Sequence, residues 1–206
     1  MRIGLDFDNT IIAYGDVFVA AAKERDLIGA DFQGGKQAVR DAIRLLPGGE
    51  LAWQRLQGHV YGRGIGHASM YDGVEAFLRR CRAEGRPVAI VSHKTKYGHH
   101  DPSRLDLREA ALDWMLSRGI LGDGVFSIPP EQIFFEDTRH GKLTRIAALG
   151  CTCFIDDLEE VLVDPAFPTG VTRILFSEGK ASESEPPYVV CPTWRDIEAQ
   201  VFGRDG

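Results

Sequence analysis

Five short apolar runs decide what this chain can fold into: "RIGL" (2–5), "PVAIVS" (87–92), "IFFED" (133–137), "TCFIDD" (152–157) and "TRILFS" (172–177). Each is nearly continuous rather than alternating, as expected of strands covered on both faces. Segments of helical period separate them. Val74, Phe77, Leu78 and Cys81 follow the i, i+3, i+4, i+7 pattern, with Gly85 as a stop. Leu107, Ala111, Trp114 and Met115 mark a second helix, and Leu143, Ile146 and Ala147 a third. Strand and helix in alternation, with short connections, specify βαβ units and an α/β fold with a parallel sheet.

Residues 13–70 break the rhythm. Val39, Ala42, Ile43 and Leu46, then Trp53, Leu56 and Val60, read as helices, and no convincing strand is present. A few loop residues would suffice after the first strand. The segment is therefore expected to be a small helical cap, inserted into a core of residues 1–12 and 71–206. "PTWRDIEAQVF" reads as a closing helix with Thr193 as N-cap. "SEGKASESEPP" (177–187) reads as a polar surface loop.

The 206 residues suffice for one good-sized domain, or a domain carrying a sizeable insertion. The net charge of −6 argues against a nucleic-acid partner, though local charge still decides whether a cleft takes an anion. Cys81, Cys151, Cys153 and Cys191 form no C-x-x-C pair and are expected to be reduced core thiols. No basic-then-apolar leader precedes the first strand, and no apolar run approaches the roughly 18 residues that span a membrane. A cytoplasmic location is the expectation, and oligomeric state is not legible.

The first strand runs directly into Asp6 and Asp8. Other strand ends carry Ser92, then Glu136 and Asp137, then Asp156 and Asp157. Ligands bind outside the carboxyl ends of strands in open parallel sheets. Were the first and fourth of these strands neighbours, four carboxylates would crowd one small volume. Two like charges about 4 Å apart repel by roughly 4 kcal/mol at an effective dielectric near 20. Such a cluster takes up protons or binds a hard divalent cation, Mg²⁺ being the natural candidate. Any one of these aspartates alone reads as a turn or cap residue; the set does not.

"LDFDNT", "AIVSHK", a lysine ahead of a strand in "HGKLTRI", and "CFIDDLEEV" resemble, in order, the four signature segments of the haloacid dehalogenase-like phosphohydrolase superfamily. The resemblance implies a Rossmann-like core and a phosphatase acting on a small phosphorylated metabolite. It implies that Asp6 is the nucleophile, forming an aspartyl-phosphate that splits one hard displacement into two easier ones. It makes Asp8 the general acid and then base. Ser92 would hydrogen-bond a phosphoryl oxygen, and Lys142 would offset charge on Asp6 and the transferring group. Asp156 would ligate Mg²⁺ with an Asp6 oxygen and the Asp8 backbone carbonyl, and Asp157 would hold metal-bound water. The four acids bring about −4 and a phosphate monoester about −1.5 to −2, more than Lys142 can balance, so metal dependence is expected. Carbon–halogen hydrolases of the superfamily lack the second acid of the first segment, and Asp8 points to phosphate chemistry. A phosphotransferase, and a non-catalytic phospho-acceptor or binding protein, are the competing readings.

Other residues make weaker claims. The glycines of "HVYGRGIGH" (59–67) are spaced G-x-G-x-G with no preceding strand, so the dinucleotide fingerprint fails and a hinge is expected. His93, Lys94, Lys96, His99 and His100 either read the phosphate or leaving group or form a solvated basic loop. A zinc site from His99, His100 and Asp101 is disfavoured because adjacent side chains rarely converge on one ion. Arg40 and Arg44 lie one helical turn apart, facing either a second substrate anion or solvent.

Overall fold

A computed structural model of the chain describes residues 1–98, 104–178 and 187–203. In chain order its elements are β1 (Ile3–Leu5), β2 (Ile12–Ala13), α1 (Gly15–Lys23), α2 (Lys36–Arg44), α3 (Gly49–Tyr61), β3 (Ser69–Met70), α4 (Val74–Ala83), β4 (Val88–His93), α5 (Leu107–Ser117), β5 (Ile133–Glu136), α6 (Arg139–Ala148), β6 (Cys153–Asp156), α7 (Glu159–Leu162), β7 (Thr172–Phe176), β8 (Val189–Cys191) and α8 (Trp194–Phe202). The chain forms two compact units. Among the described residues, no helix is long and apolar enough to cross a membrane.

The first unit comprises Met1–Ile12, Met70–Lys94 and Arg118–Gly206. Its six-stranded sheet has the order β5-β4-β1-β6-β7-β8, with every neighbouring pair parallel. β1 therefore lies inside the sheet: Ile3 pairs with Val88 on one side and Cys153 on the other. Burial of Ile3, Leu5, Ile90, Val91, Phe154 and Ile155 explains the unbroken apolar runs. α4 buries Val74, Phe77, Leu78 and Cys81, the stripe read from the sequence, and Gly85 follows it at φ 62°. Thr193 caps α8 in a reciprocal capping box with Asp196. All four cysteines are free and buried. β8 lies outside the five expected strands. It is a three-residue edge strand burying only Cys191, too short to leave a pattern.

Gly4 leaves no room for a side chain. A Cβ there would lie 2.5 Å from Phe154 Cδ2 and 3.0 Å from Cys151 Sγ, both on buried side chains. Gly4→Ala is expected to cost roughly 1–3 kcal/mol through overpacking, read as a lowered midpoint in thermal unfolding.

The second unit comprises Ala13–Ser69 and Thr95–Ser117. The inserted segment is helical as expected, with α1, α2 and α3 burying Phe18, Val39, Ile43, Trp53 and Leu56 among others. Phe18 stacks on Trp53 at 5.0 Å, and Tyr61 meets Tyr14 and Phe18 edge-on. The sequence reading left α5 in the core, whereas the structure clusters it with the insertion. Its apolar face of Leu107, Ala111, Trp114 and Met115 is buried, and Trp114 Nε1 donates to the Ala68 carbonyl at 3.0 Å. Periodicity identifies an apolar face but not what it packs against. β2 and β3 form a two-residue ladder at the two ends of the segment read as strandless, too brief for any alternation to show.

Candidate active site

Three strands of the first unit deliver carboxylates or hydroxyls at their C-terminal ends. Asp6 follows β1 directly, and its amide donates to the Ile155 carbonyl of β6 at 2.9 Å. Beyond it the chain turns sharply: the amides of Ile11 and Ile12 donate to the Phe7 carbonyl, with Asn9 at φ 58°. This turn carries Asp8. Asp156 closes β6, Asp157 follows it, and Ser92 and His93 close β4. The neighbouring positions of β1 and β6 bring the first and fourth apolar runs side by side, as the crowding argument requires.

Lys142 ties the acids together. Its Nζ donates to Asp6 Oδ1 and to Asp156 Oδ2, each at 2.6 Å, and only 1% of the residue is exposed. This lysine stands in the first turns of α6, at the start of the helix read from Leu143, Ile146 and Ala147 and ahead of β6. Thr138 caps that helix by accepting from the Gly141 amide, which fixes where Lys142 leaves the backbone. A helix aimed at the sheet edge carries a long side chain into the acid cluster.

Asp6 is pushed up to about 7, first by burial and then by the charges of Asp156 and Asp8, against the opposing pull of Lys142. Burial alone would lower Lys142, but Asp156 and Asp6 outweigh it and hold the ammonium well above its ordinary value. Because the folded-state value of Asp6 is raised, the folded chain keeps a proton that the unfolded chain releases. Its contribution to stability therefore declines as pH rises from about 4 to about 7 and is level beyond. In chelator-treated protein, Asp6→Asn should gain on wild type across this window, by roughly 2–4 kcal/mol in denaturant titrations once pH exceeds about 7.

Carboxylate oxygens of Asp6, Asp156 and Asp157 all lie within 4.8 Å of one another, so they fit a divalent cation. All three offer hard oxygen donors, the set Mg²⁺ and Ca²⁺ prefer. The side chain of Asp8 is outside this group, and its expected metal contact was through the backbone carbonyl. Ser92 Oγ is buried without a hydrogen-bond partner among the described residues. An orphaned buried hydroxyl costs about 1–3 kcal/mol, which an acceptor arriving with a ligand would recover.

No protein-family model matches the sequence, and no curated protein matches it. Solved structures do. A haloacid dehalogenase-like family hydrolase from Streptococcus pneumoniae matches over 98% of both chains, at 14% identity and a TM-score of 0.62. The chain has a haloacid dehalogenase-like fold. Protein Tyrosine Kinase A of Mycobacterium tuberculosis also matches over 98% of both chains, at 17% identity and a TM-score of 0.65. A predicted phosphatase from Clostridium acetobutylicum gives 12% identity, 98% coverage of both chains and a TM-score of 0.59.

Within this haloacid dehalogenase-like core, the sequence reading missed one partnership. Lys94 Nζ donates to both oxygens of Asp8, at 2.9 and 3.0 Å, and the residue is 4% exposed. Two buried ammonium groups therefore face the acids, where the sequence argument counted Lys142 alone. The signal was available: Lys94 lies two residues after Ser92, so an extended chain presents both on one face. His93 is exposed, and its Nε2 pairs with the Asp137 carbonyl at 3.0 Å, bridging the ends of β4 and β5. β5 is an edge strand, and Glu136 pairs with Arg145 at 2.8 Å, a structural contact.

In the second unit, Arg40 pairs with Asp41 and Arg44 with Glu50 on exposed surface, which fits the solvated reading. The glycine-rich segment leaves α3 after Tyr61 and makes a short 3-10 turn at Ile65–His67, with no cradle after a strand. His99, His100 and Asp101 lie outside the described residues, as does most of 177–187.

Proposed function

We propose that this protein is a Mg²⁺-dependent phosphatase that hydrolyses a small phosphate monoester through an aspartyl-phosphate on Asp6. The observation that carries the reading is the convergence of Asp6, Asp156 and Lys142 from β1, β6 and α6, at 2.6 Å contacts in a buried site. Asp6, Asp156 and Asp157 would hold the cation, which when bound offsets the negative charge of the acids and the phosphoryl group. A carboxylate oxygen of Asp6 attacks phosphorus, and the bond from phosphorus to the leaving oxygen breaks. Asp8 donates a proton to that oxygen, so an alcohol departs. Ser92 donates its hydroxyl hydrogen to a phosphoryl oxygen, and Lys142 keeps Asp6 and the incoming charge neutralised. Water then attacks the phosphorus, Asp8 takes up its proton, and the bond to Asp6 breaks to release inorganic phosphate.

Purified protein with Mg²⁺ is expected to release phosphate from 4-nitrophenyl phosphate and from members of a phosphorylated-metabolite panel. EDTA should reduce release to background and excess Mg²⁺ should restore it. Undiminished turnover after exhaustive chelation would overturn the metal assignment, and no release from any ester would overturn the phosphatase. The structural likeness to a protein named as a tyrosine kinase favours a second reading, transfer of the same phosphoryl group to an acceptor other than water. Product analysis with added alcohols separates the two, since transfer yields a new ester at the expense of free phosphate.

A further inference from the structure

We infer that Lys94 is a positioning residue for Asp8, a role that rests on the phosphatase reading. A lysine is seldom fully buried unless it is paired, and this one lies just past the end of β4 with its side chain 3% exposed. Its Nζ grips the two Asp8 oxygens almost equally, at 2.9 and 3.0 Å, and stands 5.7 Å above the ring of Phe7. Its backbone is fixed as well, because the Lys94 amide donates to the Glu136 carbonyl of β5 at 3.1 Å. The second buried ammonium, on Lys142, is committed to Asp6 and Asp156. The two lysines therefore divide the carboxylates: one neutralises the nucleophile and a metal-binding acid, the other holds the acid that serves the leaving group.

The turn carrying Asp8 makes this grip useful. Asp8 sits on a tight loop rather than a strand, and its side chain is 21% exposed, so its carboxylate has space to swing. A symmetric hold on both oxygens removes that freedom and fixes the carboxylate relative to β4, the strand that also carries Ser92. Misplacing a reacting group by about 1 Å can cost about 100-fold in rate. A lysine that served the fold alone would, once removed, lower stability and leave the kcat of the folded protein unchanged, and the two roles separate in a double-mutant cycle.

The experiment measures kcat and KM on 4-nitrophenyl phosphate at saturating Mg²⁺ for wild type, Lys94→Met, Asp8→Asn and the pair combined. Lys94→Met is expected to lower kcat about 10- to 100-fold with KM within about threefold of wild type. In the Asp8→Asn background it should change kcat by less than about twofold, since its effect passes through Asp8. Lys94→Arg, which keeps the charge and a forked donor, should recover part of the lost kcat. If Lys94→Met does not fold, Lys94→Arg carries the same cycle, with a fall in kcat expected only where Asp8 is intact. Wild-type kcat in the folded single variant, or an equal loss in both backgrounds, overturns the positioning role alone. Absence of turnover by wild type on every ester overturns the phosphatase reading, and the role with it.

Discussion

Asp6→Asn should reduce kcat by roughly 10⁴- to 10⁶-fold, the range seen when a covalent nucleophile is removed. The substitution is nearly isosteric, and the backbone of residue 6 is held by a hydrogen bond to Ile155, so the fold should persist. The amide keeps an oxygen for Lys142 but cannot attack phosphorus. A second readout guards against misinterpretation. Wild type quenched during turnover of ³²P-labelled ester should carry acid-stable, hydroxylamine-labile label, and Asp6→Asn should carry none. Retention of substantial turnover would end the nucleophile assignment. Loss of turnover accompanied by unfolding would not, because the same substitution is expected to stabilise chelated protein above about pH 7 by removing one of the crowded charges.

Lys142→Met should do the opposite to stability. The side chain is 1% exposed and its ammonium is paired with two buried acids, so its loss leaves Asp6 and Asp156 without their counterion. Breaking a buried ion pair from one side costs about 3–5 kcal/mol, which lowers the melting temperature of a chain this size by roughly 6–20 °C. Divalent cation should return part of the deficit, since ligand at about 100 times its Kd contributes about 2.7 kcal/mol. The predicted pattern is therefore a large loss in EDTA and a smaller one in Mg²⁺, measured by scanning calorimetry. Turnover should stay low in both conditions, because restored charge balance does not restore the donor beside Asp6. Equal melting temperatures for variant and wild type in EDTA would mean that the acids do not depend on Lys142.

The parts of this architecture that show in the sequence are those with a local signature. Continuous apolar runs are buried strands because both faces of the sheet are covered, and acids at their ends stand out against them. α4 and α8 carry their stripe, stop and cap within a dozen residues. What stayed hidden depends on distance along the chain. α5 has a legible apolar face, yet its grouping with the insertion rests on contacts such as Trp114 to Ala68, 46 residues away. Lys94 was visible as a loop cation, but its partner Asp8 lies 86 residues earlier, and only the pairing of β1 with β4 brings them together. β8 is three residues long and buries only Cys191, which leaves no pattern to read. Lys142 was legible only through the resemblance, because nothing local ties a helix lysine to Asp6, 136 residues earlier.

The interior place of β1 has a consequence for biosynthesis. Ile3 is synthesised well before the residues it pairs with, Val88 and Cys153. At about 5–20 residues per second, both hydrogen-bonding edges of an apolar strand wait several seconds without partners. Nascent chains that have not yet completed β6 should therefore be prone to association and good clients for chaperones, however stable the finished protein.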